Sequence, residues 1–362
     1  MPGLYAPAVI SIRMQIQENV ALAPYTTLQV GGPARFFIEA RSEDDIRDAL
    51  LFARERSLEV FVLGGGSNLV VADAGWPGVV LKVAVMGITT HAHAHVGKRI
   101  FIVGAGEDWD KLVAFSVQQN CAGIECMSGI PGTVGGTPVQ NVGAYGQEVK
   151  DTIARVRVLD TIALEVRDMA AADCGFAYRT SIFNSSEKGR YIVTEVVFAL
   201  TPDGSPKMEY ADLKRYFADR PAASLNEVRE AVRSIRSTKG MLINADDEDS
   251  RSAGSFFKNP IVPQAEYQRI AALPICKEEK IPSFPAPAGM VKISAAWVVE
   301  RAGFHKGYVD GRVGISRKHS LAIVNRGNAT AEDVVRLKNK VQDGVFQTFG
   351  LRLQPEPVFV GF

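Results

Sequence analysis

The sequence predicts an α+β protein of more than one domain, and three observations carry that prediction. With 362 residues the chain exceeds one core, because single cores stop growing near roughly 250–300 residues. Helical and strand periodicities both occur along it. Two glycine-rich stretches, GGGSN (64–68) and GIPGTVGGTPVQNVGAYG (129–146), interrupt the regular segments of the first half.

A helix is predicted from Ser42, with Glu43, Asp44 and Asp45 in its first turn and Ile46, Ala49, Leu50 and Ala53 on its apolar face. The strand EVFVL (59–63) follows, then GGGSN and the apolar run LVVAD. A second strand, RIFIVGAG (99–106), leads into a helix over about 108–119. After the long glycine loop, RVRVLD (155–160) and YIVTEVVFAL (191–200) alternate with period two, which suggests antiparallel strands. Ser224 with Glu227 forms a capping box for a helix to about 237. The polar, turn-rich GMLINADDEDSRSAG then marks a domain boundary. Thr330 with Asp333 caps a last helix to about 348, and the closing LQPEPVFVGF is not helical because Pro355 and Pro357 flank Glu356.

A formal net charge of +1 gives no electrostatic case for nucleic acid or a membrane surface as partner. An anionic ligand must therefore be held by local groups. No apolar run reaches the roughly 20 residues of a membrane span, and MPGLYAPAVISIRMQIQENV lacks a signal-peptide pattern. Cys121, Cys126, Cys174 and Cys276 form no CxxC pair and no dense disulfide pattern. The expectation is a cytoplasmic protein.

Four familiar patterns give no support for another function. GAGEDW (104–109) begins like a dinucleotide fingerprint, but Trp109 stands at the third glycine, where helix and strand must pack closely. HAHAH (91–95) places three histidines on one strand face yet brings no carboxylate or cysteine, so an exposed hairpin is expected and no metal. Neither GxxxxGK[ST] nor GxSxG occurs.

The loop at 129–146 holds six glycines in eighteen residues and no charged side chain. Glycine is costly to order, so such density implies either elaborate turns or a ligand lying against bare backbone N–H groups. GGGSN adds more N–H groups beside the short side chains of Ser67 and Asn68. Two neutral cradles suit a pyrophosphate with a long, flat appendage, which points to a dinucleotide cofactor without Rossmann geometry.

The ordered series NVALAPYTTLQVGGPA, LGGGSNLVV, GIPGTVGGTPVQNVGAYGQEV, FAYRTSIF, SAGSFFKNP, VGISRKHSLAIVN and LQPEPVF resembles the UDP-N-acetylenolpyruvoylglucosamine reductase (MurB) family from about residue 19 onward. KMEYADLKRYF (207–217) resembles the segment that marks its type I subfamily. The resemblance implies a vanillyl-alcohol-oxidase-type, two-part FAD-binding fold with a separate C-terminal α+β substrate domain. It implies FAD-binding parts at 1–82 and 83–238, a substrate domain at 239–351, and a tail, 352–362, returning to the first part. It further implies NADPH-dependent reduction of the enolpyruvyl group of a UDP-sugar to UDP-N-acetylmuramate for peptidoglycan, by a monomer whose partners are small molecules.

Under this resemblance, Gly64, Gly65, Gly66, Ser67, Asn68 and Leu69 contact FAD from the first loop. Gly129, Ile130, Pro131, Gly132, Gly135, Gly136, Gln140, Asn141, Gly143, Ala144 and Tyr145 do so from the second. Neither loop has a histidine or cysteine suited to a flavin bond, so FAD is expected to be non-covalent. Arg179 matches the catalytic arginine, a permanent planar cation that can hold a carboxylate and stabilise an enolate-like charge. Ser255 matches the proton donor and Glu356 the third catalytic residue. Tyr210, Lys239 and Asn259 match contacts to the nucleotide diphosphate and sugar. Arg301 stands where the family pattern leads one to expect a glutamine. A flavin oxidase would tether FAD through a histidine absent from GGGSN, and a non-catalytic sensor would lack one of Arg179, Ser255 and Glu356.

Overall fold

The computed structural model describes residues 14–93, 97–218, 220, 223–276, 279–284 and 286–362. Residues 1–13 of the N-terminal stretch MPGLYAPAVISIRMQIQENV, and His95 of HAHAH, lie outside the described residues.

The first sheet pairs Pro33–Ala40 with Trp76–Val83, and the latter with Val60–Leu63, all in parallel. Ile16–Ala21 adds an antiparallel edge. The helix Glu43–Glu55 covers this sheet, burying Ile46, Ala49, Leu50, Phe52 and Ala53. Its start is local chemistry: Ser42 Oγ accepts from Asp45 N at 3.1 Å, and three acidic residues lie at the positive end of the helix.

The second sheet is antiparallel in the order Val166–Ala170, Ile153–Asp160, Tyr191–Pro202, Lys98–Gly104, Ile88–His93. Ile38 and Leu81 of the first sheet share one core with Phe101, Val156 and Phe198 of the second. The hairpin Ile88–His93/Lys98–Gly104 carries an exposed His91. In GAGEDW, the glycines serve chain packing: a Cβ on Gly104 would lie 2.4 Å from Val85 O, and one on Gly106 2.7 Å from Ala84 Cα. Trp109 is buried, and its indole N–H donates to Met127 O at 3.0 Å.

Beyond residue 239 two small antiparallel sheets, Ile261–Pro263/Met290–Ile293/Ser283–Phe284 and Val309–Asp310/Val313–Ile315/Ile323–Asn325, share a separate core. The helices Gln264–Ala271, Ala295–Arg301 and Ala331–Phe349 complete it. The last begins with the Thr330–Asp333 capping box. Its N-terminus is also held from the first half of the chain, as Ala331 N and Glu332 N donate to the Asp73 carboxylate at 2.7 and 3.0 Å. The closing segment is not helical. Val358–Val360 runs parallel to Leu69–Val71, the strand immediately after GGGSN.

Candidate active site

Both glycine stretches open onto one cavity of about 1110 Å³, above the roughly 300–1,000 Å³ of ordinary ligand pockets. They lie back to back. A Cβ on Gly65 would sit 2.5 Å from Gly132 Cα, and Ser67 Oγ donates to Pro131 O at 2.9 Å. Gly66 has φ +64°, and a Cβ there would fall 1.8 Å from Tyr25 O, so only glycine closes this turn. Gly64, Gly65, Gly66, Ser67, Asn68 and Leu69 all line the cavity, as do Ile130, Pro131, Gly132, Gly135, Gly136, Gln140, Gly143, Ala144 and Tyr145.

This surface fits a flavin dinucleotide. Among the described residues, the main-chain N–H groups of Gly65, Gly66, Ser67 and Asn68 donate to no protein acceptor, a ready seat for pyrophosphate oxygens. A Cβ added to Gly136 would meet nothing within 4 Å and would project into open space. Asn68 Nδ2 donates to Gln140 Oε1 at 2.9 Å and to Glu356 O at 3.2 Å, tying the two loops and the C-terminal segment together.

Side chains make up the rest of the lining. Arg179 sits at the tip of a two-residue turn closed by Ala177 N to Thr180 O at 3.0 Å and Thr180 N to Ala177 O at 3.2 Å. Its φ of +54° is a conformation a non-glycine residue adopts at a cost of about 1–3 kcal/mol. The turn is over-determined: Asn141 Nδ2 donates to Ala177 O at 2.9 Å, Asn184 Nδ2 to Arg179 O at 3.2 Å, and Ser181 Oγ to Val139 O at 2.6 Å. Arg179 Nη1 donates to Gly143 O at 3.1 Å. Its Nε lies 3.3 Å from Glu356 Oε1, off hydrogen-bond geometry, and is buried with no other partner.

Glu356 and Ser255 are joined through backbone, because Glu356 N donates to Phe256 O and Phe256 N to Leu321 O, at 2.9 and 2.8 Å. Phe256 and Phe257, both buried, root Ser255 in the C-terminal core. Arg179, Ser255 and Glu356 thus reach one cavity from three distant segments.

Tyr210 and Lys239 line it too. Lys239 ends the helix Leu225–Thr238, and its Nζ lies 2.6 Å from Asp212 Oδ2. Tyr210 stands edge-on to Tyr145, with ring centroids 5.3 Å apart. Burial pushes the Tyr145 hydroxyl pKa up, although Arg236 and Lys239 nearby pull it down.

Three expected contacts stand behind the lining. Asn141 supports the Arg179 turn and Glu148, to which its Nδ2 donates at 2.9 Å. Asn259 accepts from Ala295 N at 2.9 Å and so steadies the helix Ala295–Arg301. Gly129 is fixed at both ends, its N–H donating to Asp110 at 2.6 Å and its carbonyl accepting from Arg236 Nε at 3.1 Å. Arg301 pairs with Glu279. Sequence reading assigned no role to Arg236 or His319, both in the lining. Arg236 had a signal, lying three residues before Lys239 along one helix; His319 had none beyond its place in VGISRKHSLAIVN.

Comparison with known proteins agrees with this arrangement. Residues 34–162 match the model of an FAD binding domain, and residues 246–360 that of the UDP-N-acetylenolpyruvoylglucosamine reductase C-terminal domain. The UDP-N-acetylenolpyruvoylglucosamine reductase of Thermobifida fusca is 46% identical over 351 residues, 95% of this chain and 98% of that protein. The protein of that name from Mycobacterium tuberculosis H37Rv is 44% identical over 359 residues, 96% of this chain and 95% of its own. The crystal structure of the Thermus caldophilus reductase superposes with a TM-score of 0.65 at 25% identity, covering 96% of this chain and 99% of that one. Full-length similarity of this degree, with a two-part FAD-binding fold followed by the reductase C-terminal domain, establishes that the chain belongs to the UDP-N-acetylenolpyruvoylglucosamine reductase family of oxidoreductases.

Proposed function

We propose that this protein uses NADPH to reduce the enolpyruvyl ether of UDP-N-acetyl-3-O-(1-carboxyvinyl)-glucosamine to UDP-N-acetylmuramate. The observation that carries the reading is the meeting of Arg179, Ser255 and Glu356 in the cavity lined by the two glycine loops. FAD, when bound, supplies the hydride. Arg179 holds the substrate carboxylate and stabilises the negative charge that develops beside it. Its buried, otherwise unpartnered Nε–H supports that role. Ser255 delivers the proton to the carbon bearing the carboxylate. A hydroxyl is a weak acid, but a carbanion is a strong base and the flanking backbone bonds fix the geometry. Glu356, 3.3 Å from Arg179, orients that guanidinium and polarises the surroundings of the proton donor.

Lys239 and Tyr210 contact the nucleotide sugar. In this reading the flavin lies between residues 1–82 and 83–238, with the substrate on 239–351. The strand Val358–Val360 beside Leu69–Val71 supports a tail that belongs with the first part. Purified protein should be yellow, release its flavin on acid precipitation, and oxidise NADPH only when the enolpyruvyl sugar is added. Flavin retained by the precipitate would refute non-covalent binding; NADPH oxidation indifferent to that sugar would refute the substrate.

A further inference from the structure

Glu148 faces Gly143 across a short hairpin, in which Gly143–Ala144 pairs antiparallel with Gln147–Glu148. Tyr145 and Gly146, at φ +48° and +85°, make the two-residue turn that such a hairpin favours. The stem of Glu148 lies against Gly143: a Cβ there would come 2.8 Å from Glu148 Cγ and 2.7 Å from Gln147 O. Gly143 is also the residue whose carbonyl accepts from Arg179 Nη1. Glu148 thus packs behind the segment that touches Arg179, without itself lining the cavity.

Its carboxylate works through an amide. Asn141 is buried, at 1% exposure, and its Nδ2 spends both hydrogens, on Glu148 Oε2 and on Ala177 O, each at 2.9 Å. Asn141 Oδ1 accepts from Lys150 N at 3.2 Å. A flipped amide would set its oxygen against Ala177 O and its donor against Lys150 N. Glu148, an acceptor only when ionised, and the Lys150 N–H exclude that flip from two sides. Lys150 Nζ, 2.8 Å from Glu148 Oε2, steadies the carboxylate in turn. Burial opposes the charge on Glu148, but bonds from Lys150 and Asn141, then the charges of Lys150 and Arg179, hold its pKa below the usual carboxylate value. It is an anion at physiological pH. Ala177 O, which receives the second Asn141 hydrogen, also accepts from Thr180 N and so closes the turn that has Arg179 at its tip. That turn holds a φ of +54°, which persists only where its surroundings fix it.

We propose that Glu148 is a positioning residue for the reduction: by fixing the Asn141 amide it holds the Arg179 turn, and so keeps the guanidinium where the enolpyruvyl carboxylate arrives. Two carboxylates then bear on Arg179, Glu356 directly and Glu148 through Asn141. This rests on the reading of Arg179, given above, as the group that holds the substrate carboxylate.

The test compares wild type, Glu148→Ala and Glu148→Gln, each loaded with FAD, for binding of the enolpyruvyl UDP-sugar and of UDP-N-acetylglucosamine, which lacks the carboxylate. Glu148→Ala should weaken the enolpyruvyl sugar about tenfold, the worth of a hydrogen bond to a charged group, and leave UDP-N-acetylglucosamine affinity and flavin content unchanged. Reoxidation of the reduced flavin by the enolpyruvyl sugar should slow on the order of 10²-fold, as for a displaced catalytic group. Glu148→Gln, which keeps an oxygen for Asn141 Nδ2, should recover most of both losses. In an Arg179→Ala background, Glu148→Ala should cost no further affinity. Wild-type affinity and reoxidation in Glu148→Ala overturn the proposal and leave the substrate reading intact. Equal loss for both sugars, loss of flavin, or a full additional loss beside Arg179→Ala marks a merely structural residue and also overturns it. A wild-type protein that holds FAD but binds the enolpyruvyl sugar no more tightly than UDP-N-acetylglucosamine, and is not reoxidised by it, overturns the reading of Arg179 and this proposal together.

Discussion

The cavity has two kinds of lining. Around Gly64–Asn68 and Ile130–Tyr145 the lining is largely glycine backbone and short or uncharged side chains, with the N–H groups of Gly65, Gly66, Ser67 and Asn68 free of protein acceptors among the described residues. Around Arg179, Ser255, Glu356, Lys239 and His319 it is made of side chains, each fixed by bonds made elsewhere in the fold. The first surface depends on the absence of atoms: a Cβ on Gly65 or Gly66 collides with backbone. The second depends on position. Arg179 needs a strained turn with three supports, and Ser255 is held through the next residue, Phe256, whose N–H and carbonyl bond to Leu321 and Glu356. A backbone surface recognises what a cofactor shares with many others, whereas a side-chain surface can select one substrate and carry out proton transfer.

The largest effect should come from the side-chain surface. Ser255→Ala should leave flavin reduction by NADPH near the wild-type rate and slow reoxidation by the enolpyruvyl sugar on the order of 10²–10⁴-fold. Stopped-flow spectroscopy separates the two half-reactions. Slowing of both, with lowered thermal stability, would make Ser255 structural; slowing confined to the NADPH half would overturn its role.

The backbone surface is broken differently at two of its glycines. Gly66→Ala puts a Cβ on Tyr25 O at a positive φ and should destabilise the fold by at least about 2 kcal/mol, together with loss of FAD. Gly136→Ala meets only open space, so it should leave the melting temperature of the flavin-free protein unchanged or higher while weakening FAD binding by about tenfold. Thermal melts and flavin titration of the two variants decide whether the loop is bare for folding or for the ligand. If Gly136→Ala binds FAD as tightly as wild type, that part of the lining does not touch the cofactor.

The most gradual effect is a pH dependence of stability. Burial, then the cations Lys239, Lys306 and Arg236, push the His319 pKa down to about 4 in the folded protein, against 6.5 for the free side chain, so the folded ring gains its second proton only at lower pH. Between those values the unfolded chain binds the extra proton, so folding stability falls as pH drops through that window. The slope is at most about 1.4 kcal/mol per pH unit. His319→Gln should flatten this decline. Melting temperatures of both proteins at pH 7, 5.5 and 4.5 isolate the term from carboxylates, which the two share; identical curves would show that the imidazole titrates normally.

The local signals in the sequence were strong. Ser42, Ser224 and Thr330 each cap the helix that follows them, because a cap is decided within four residues. The glycine stretches announced a ligand for the same reason: their composition states what the backbone must do. Pairings across the chain left no such mark. Nothing near residue 319 says that Lys239 and Arg236, some eighty residues earlier, will share its cavity wall. Asn141 and Asn259 carry a second duty that their motifs do not announce, since Asn141 Nδ2 donates to Ala177 O and Asn259 Oδ1 accepts from Ala295 N. The first parallel sheet was also hidden. Pro33–Ala40 and Trp76–Val83 are buried enough to lose the period-two pattern by which the antiparallel strands were read.

The strand Val358–Val360 has a consequence for the order in which the protein is made. Leu69–Val71 and the loop before it leave the ribosome early, but their neighbour in the sheet is added only after nearly all of the other described residues. Glu356, Asn68 and Gln140 come into contact at that moment. Until then the nascent chain carries an unpaired strand edge at Leu69–Val71, the kind of surface that invites misassembly. Flavin uptake should therefore be a late, post-translational event, and ribosome-bound chains ending before residue 356 should emerge colourless.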